Sequence, residues 1–252
     1  MAEYIKVNGT NGNTIINDDY RCYHLVGKYV KTNSDVYVPT NLAFESEGLI
    51  YAHDIIVNSI VQPVVATTDC CIFSCDYQKI SEDQWRVTIY WSTVGNFGIV
   101  SRLPKFSFTF FVYGLVEGYA KVYGKPVVEV FNNKGKLVFS SALKYLKPVL
   151  FFSRIMNDVE PNFFSYYGQK SYLLKIPNYS PQKKYAVISC SSAHTYQYFD
   201  GGGLRQTNIS GIKITGDSVK LNMLAAGFGY LNNILDASVP TLSVMVVDVT
   251  DL

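Results

Sequence analysis

The sequence predicts an all-β protein of the antiparallel β-sandwich type. Short runs alternate apolar and polar residues, as in Trp85–Trp91, and no segment keeps the 3.6-residue period of a long helix. In addition, one strand–turn–strand segment occurs twice, at 4–20 and 127–143. These observations favour a β-rich protein made of two related units, with sheets packed on one another.

The repeated segment has the features of a β-hairpin. Aligned without a gap, each copy has an apolar strand, an Asn-rich turn with glycine at the same place (Gly12 and Gly135) and a second apolar strand. Asparagine and glycine tolerate the positive φ that a tight return requires. A hairpin is therefore predicted in each copy.

Further strands are predicted along most of the chain. Turn residues separate them, and Thr215–Ser218 between two apolar runs indicates another hairpin. The only helix candidate is a short one at 221–235. The predicted strands are Ala43–His53, Cys71–Tyr77, Trp85–Trp91, Phe106–Tyr113, Val127–Phe131, Lys136–Phe139, Tyr172–Ile176, Tyr185–Cys190, Thr195–Phe199, Ile209–Thr215, Val219–Met223 and Leu242–Val249.

A domain boundary is predicted between 115 and 126. Gly118, Gly124 and Pro126 cluster there, and the repeated segment restarts directly afterwards. The prediction is an N-terminal β domain at 1–120 and a C-terminal β domain at 125–252. A single large β domain with a duplicated edge hairpin is the alternative.

Composition favours protein interfaces over nucleic acid or membrane. Charged residues make up only 17% of the chain, against a usual share of roughly 25%. The 20 tyrosines suit contact surfaces, since tyrosine is enriched at interfaces. The net charge is +2 without a basic run, so no nucleic-acid partner is expected. No apolar window reaches 18 residues, and the start lacks a signal peptide, so we expect synthesis in the cytoplasm and no membrane span.

No motif for catalysis, a metal or a cofactor is present in the sequence. The five cysteines are odd in number and irregularly spaced, so they are interpreted as free thiols. The nucleophile-elbow, zinc-protease, P-loop and dinucleotide-binding motifs are missing. Acidic pairs such as Asp18-Asp19 and Glu82-Asp83 are interpreted as turn residues. We therefore expect no enzyme, with a glycan-degrading hydrolase as the weaker alternative.

Two aromatic clusters are the candidate interaction loops. One follows Pro161 and the other precedes the glycine run at 201–203. Aromatic side chains in loops can stack on sugars or anchor a protein interface, whereas in strands they fill cores. Both interpretations stay open for Phe163, Phe164, Tyr166, Tyr167, Tyr196, Tyr198 and Phe199.

The segment 127–146 resembles one found in minor tail, tail-tip and fibre-associated proteins of long-tailed bacteriophages. The shared pattern is a strand, Asn-x-x-Gly, Val-Phe-(Asp/Ser)-Ser and Lys-Tyr, here between Phe131 and Tyr145, with a weaker likeness at 4–23. The resemblance implies a structural component of a phage tail tip or fibre base, located in the virion. Other phage tail proteins would be its partners.

Tail symmetry would make a homo-oligomer, a trimer or a hexamer, natural. The alternative function is a receptor- or carbohydrate-binding module that contacts the bacterial surface. The motif contains no catalytic residues, so no chemistry is implied by it.

Overall fold

The computed structural model describes residues 7–8, 14–16, 22–32, 51–68, 72–92, 107–116, 128–131, 135, 137–155, 172–191, 194–198, 204–230 and 241–252. Regular structure in these residues is entirely β, and the strand pairs are antiparallel. The all-β antiparallel prediction is confirmed. The prediction of a short helix at 221–235 is wrong for 221–230, which continue a strand, while 231–235 lie outside the described residues.

The strands are numbered in chain order. They are β1 (Val7–Asn8), β2 (Thr14–Ile16), β3 (His24–Thr32), β4 (Tyr51–Asn58), β5 (Val64–Thr67), β6 (Ile72–Lys79), β7 (Gln84–Ser92), β8 (Ser107–Gly114), β9 (Glu129–Phe131), β10 (Leu137–Ser140), β11 (Pro148–Ile155), β12 (Tyr172–Lys175), β13 (Tyr185–Ser191), β14 (His194–Tyr198), β15 (Leu204–Thr215), β16 (Ser218–Tyr230) and β17 (Thr241–Asp248).

Two large sheets and two hairpins contain these strands. Sheet I has the order β11-β17-β13-β5-β8-β3. Sheet II has the order β12-β16-β15-β6-β7-β4, with β14 paired to β15 beside this path. The hairpins are β1–β2 and β9–β10. Both sheets therefore contain strands from each side of the predicted boundary at 120–125, and the division into two domains stays a prediction.

The inner faces of the two sheets share their cores. One core cluster joins β13 and β17 of sheet I to β15 and β16 of sheet II. A second joins β5 and β8 to β4 and β7. Alternate residues point away from these cores, so that Phe110 and Val112 face inward while Phe111 and Tyr113 lie in a third cluster on the outer face of sheet I. This packing is compatible with the predicted sandwich.

The two hairpins have the same register, which confirms the repeat predicted from sequence. Val7 pairs with Ile16, and Val130 pairs with Phe139, at an offset of 130 − 7 = 123 residues. The next pair is Asn8 with Thr14 in the first hairpin and Phe131 with Leu137 in the second. The second strand therefore has one extra residue, a bulge, at the same place in both hairpins. In the second turn, Gly135 has φ 70°, the positive value expected there.

The repeat continues through the large sheets. The pairing of β3 with β8 is interrupted between Leu25 and Gly27, and that of β11 with β17 between Pro148 and Leu150, again at an offset of 148 − 25 = 123. Three strands of each repeat lie in each sheet: β3, β8 and β5 correspond to β11, β17 and β13, and β4, β7 and β6 correspond to β12, β16 and β15. In the described part of the chain, six strands of each repeat thus correspond, a hairpin precedes each set, and β14 is an additional strand of the second repeat.

An approximate two-fold axis relates the repeats. The equivalent strands β5 and β13 pair antiparallel with each other, and so do β6 and β15. The equivalent segments around Tyr23 and Leu146 also pair, through hydrogen bonds from the Leu25 N–H to the Lys144 carbonyl (2.7 Å) and from the Leu146 N–H to the Tyr23 carbonyl (2.9 Å). These segments contribute to the third cluster, which contains residues from both repeats. Within the described residues, the repeats are joined at three places along this axis.

Candidate interaction surfaces

The sequence-predicted aromatic sites are mostly outside the described part of the chain. Phe163, Phe164, Tyr166, Tyr167 and Phe199 are not among the described residues. Their role in binding stays a prediction.

The other two candidates do not lie in a loop. Tyr196 and Tyr198 belong to β14, where they pair with Thr207 and Arg205 of β15. These two residues therefore lie on a strand that pairs with β15 through its backbone, and their role in binding stays a prediction. The competing prediction of a strand at 195–199 holds through residue 198.

Each of the four strands that end the two large sheets carries an exposed large apolar side chain. Val30 on β3 and Phe151 on β11, at the two ends of sheet I, are 58% and 60% exposed. Ile56 on β4 and Leu173 on β12, at the two ends of sheet II, are 48% and 63% exposed. An edge strand also presents backbone donors and acceptors to a further strand, and apolar side chains on it favour such pairing.

The second hairpin has two exposed apolar side chains and an ordered base. Val128 and Phe131 are 52% and 46% exposed. At the base, the hydroxyl of Tyr145 accepts a hydrogen bond from the Ser140 N–H (2.8 Å), and its ring stacks on Phe139 with centroids 5.2 Å apart. The segment 127–146 thus contains a hairpin whose base is ordered by a tyrosine of the same segment.

A pocket beside sheet I is lined by two lysine side chains. Lys28, Lys184, Thr68 and Thr109 line it with apolar neighbours. Lys28 already has contacts there, because its ammonium donates to the Leu252 carbonyl (3.0 Å) and lies 5.6 Å from the centre of the Phe111 ring. In the described residues no group of three or more His, Cys, Asp and Glu side chains is placed to hold a metal ion.

A cluster of hydrogen bonds and an ion pair surrounds Asp248 at the C-terminal end of β17. Asp248 accepts hydrogen bonds from the hydroxyl (2.6 Å) and the N–H (3.0 Å) of Thr250, and Lys183 lies 3.0 Å away. Burial opposes ionisation of Asp248, but these donors outweigh it, so its pKa is lowered from its ordinary value of 3.8. Thr250 also accepts a hydrogen bond from the Lys184 N–H (3.0 Å). The cluster therefore fixes β17 to the start of β13.

Two groups in the inner face of sheet II are held in their neutral forms. Burial raises the pKa of the Cys75 thiol to about 12, and burial with the neighbouring Cys75 raises the pKa of Tyr77. A thiol in this state is a weak nucleophile. Cys75 and Tyr77 pack against the core cluster of the first repeat, so they contribute to packing.

Comparisons with protein-family models, with curated proteins and with solved structures find no match to this chain. The described residues also include no helix long and apolar enough to cross a membrane.

Proposed function

We propose that this protein is a structural component of a phage tail tip or fibre base, which assembles with other tail proteins through β-rich interfaces. The observation that carries the proposal is the exposure of one large apolar side chain on each of the four strands that end the two sheets. The phage context comes from the resemblance at 127–146, whose residues form the β9–β10 hairpin and the segment that follows it.

The edge positions suit assembly for a physical reason. An antiparallel sheet edge exposed to water is usually shortened, charged or covered, since it pairs readily with other chains. Here β3, β4 and β11 have 8 or 9 residues, and each carries an apolar side chain that is 48–60% exposed. Burying such side chains against a partner contributes roughly 25 cal/mol per Å² of apolar surface.

The location is tested by immunogold labelling of purified phage particles from the source of this chain, with antibody raised against it. Gold at the tail tip or fibre base supports the proposal. Unlabelled particles, with the protein free in the lysate, would refute it and leave binding to bacterial surface glycans as the function to test on glycan arrays.

The role of the edges is tested with two matched substitutions. Leu173→Asp places a charge on the edge strand β12, while Ile80→Asp places the same charge on a 48% exposed residue after β6, outside any strand. We expect Leu173→Asp to reduce incorporation into particles by about tenfold or more, as loss of an interface anchor does. Ile80→Asp should incorporate normally. Equal incorporation of the two variants would contradict the assignment of the edge as the interface.

A further inference from the structure

The outer face of sheet II carries two rows of side chains of opposite charge. In the first repeat, Asp54 on β4, Thr88 on β7 and Asp76 on β6 lie side by side in register; they are called the acidic row. In the second repeat, Leu173 on β12, Lys220 on β16 and Lys213 on β15 lie side by side in register; they are called the basic row.

The two rows occupy equivalent positions. Each row residue is a direct neighbour of an inward-facing core residue, and these core residues correspond between the repeats. Ile55 pairs with Val87 in the first repeat as Leu174 pairs with Val219 in the second. Cys75 pairs with Ile89 as Ile212 pairs with Leu221. The internal two-fold axis therefore superposes an acidic row on a basic one.

The rows are accessible and their charges differ in sign. Asp54 and Asp76 are exposed, and Lys213 and Lys220 are half-buried. The hydroxyl of Thr88 donates to Asp54 (2.7 Å), which fixes that carboxylate on the outer face. The next row of the first repeat adds one cation, Arg86, aligned with Ile56 and Gln78.

The corresponding part of the second repeat is close to neutral. Lys175 forms a salt bridge with Asp217 there. Among the described side chains of this face, the charge difference between the two halves therefore rests on the two rows.

We propose that two copies of this chain associate through the outer face of sheet II, with the acidic row of each copy against the basic row of the other. The two copies stack face to face about a two-fold axis that lies between the faces, at right angles to the line joining the two rows. This axis forms both contacts between an acidic and a basic row at once. One closed, self-complementary interface results, the common form of homodimers. Leu173, 63% exposed, and Ile56, 48% exposed, would add apolar contact beside the charges. The inference does not depend on the phage context.

The first test is the mass and salt dependence of the purified protein. Light scattering after size exclusion, over a range of concentrations, should give twice the 28.3 kDa of one chain. The dissociation constant should rise by about tenfold between roughly 0.05 and 0.5 M salt, because screening weakens the contacts between the charges of the two rows. A monomer at all concentrations would overturn the proposal.

The decisive test reverses the charges one row at a time. Asp54→Lys with Asp76→Lys leaves two basic rows on the face, and Lys213→Asp with Lys220→Asp leaves two acidic rows. Each double variant should be monomeric alone, and an equimolar mixture should form a one-to-one dimer. Circular dichroism confirms that each variant is folded before mixing.

A control with the same change in charge lies elsewhere in the molecule. Lys31→Asp with Lys184→Asp reverses two cations on and beside strands of sheet I and should leave the dimer intact. Charge-reversed variants that stay dimeric alone, or a mixture that stays monomeric, would refute the proposed interface.

Discussion

Val→Ala substitutions at equivalent core positions of the two repeats remove the same two methyl carbons and should lower the free energy of unfolding equally. Val87 on β7 and Val219 on β16 are both 0% exposed and lie in corresponding core clusters. Val→Ala removes about 0.8 kcal/mol of burial per carbon, and the cavity left behind brings the total to about 2–3 kcal/mol. Val30→Ala is the control, since Val30 is 58% exposed and should change the free energy of unfolding by less than about 0.5 kcal/mol.

The assay uses the placement of the two tryptophans, Trp85 and Trp91, which are both in the first repeat. In urea unfolding, tryptophan fluorescence reports on that repeat, and circular dichroism reports on both. Because the sheets and the third core cluster run across both repeats, we expect each variant to shift both signals together, as one cooperative unit. A Val219→Ala variant whose fluorescence midpoint is unchanged would refute this reasoning and establish two independently unfolding domains.

Three further predictions concern single sites. Gly216 lies in the β15–β16 turn at φ 56°, with open space where a Cβ would lie. Gly216→Ala should therefore lower the free energy of unfolding in urea by the backbone strain alone, about 1 kcal/mol. An unchanged midpoint would contradict this. Although burial raises the pKa of Asp248, its contacts with Thr250 and Lys183 lower it below the ordinary value of 3.8. The ionised carboxylate therefore stabilises the fold above pH 3.8, and this stability is lost as the pH falls through the folded-state pKa. The unfolding midpoint of Asp248→Asn, measured from pH 6 to about pH 2, should fall less on acidification than that of the parent chain. Burial raises the pKa of Cys75 to about 12. Its thiol should therefore react with a thiol reagent at pH 8 much more slowly than that of the exposed Cys190. Equal rates in variants that keep only one of these cysteines would disprove the protection of Cys75.

Local sequence signals predicted the hairpins and the central strands. Gly135 and Gly216 mark turns with positive φ, and β7 shows the two-residue alternation that places Val87 and Ile89 inward. Such features depend on neighbours in the chain, and therefore they can be identified without knowledge of the fold.

Three strands had no comparable signal. In β3 a glycine, Gly27, interrupts the apolar run, β5 has only four residues, and β11 begins with a proline. Pro148 is tolerated because β11 ends sheet I and the proline lies at the first residue of the strand, beside a bulge. These strands are stabilised by pairing with distant partners, which no local pattern encodes.

The extent of the repeat was also hidden in the sequence. The 123-residue offset of the hairpins holds through β3 and β11, but the equivalent core residues Val112 and Val246 are 246 − 112 = 134 apart. The second repeat includes β14, which has no counterpart among the described strands of the first. A gapless alignment therefore fails beyond the first strand, although the strand order is unchanged.

The two faces of sheet II obey different physical constraints, and this difference explains what could be predicted. An inward position such as Val87 or Val219 must be apolar, because it contacts the same surrounding strands in either repeat. An outward position such as Asp76 or Lys213 has no such requirement, so the two repeats can carry opposite charges on one backbone arrangement. The inward apolar pattern thus occurs in both repeats, whereas the opposite charges of the outer face are recognised only when the repeats are superposed.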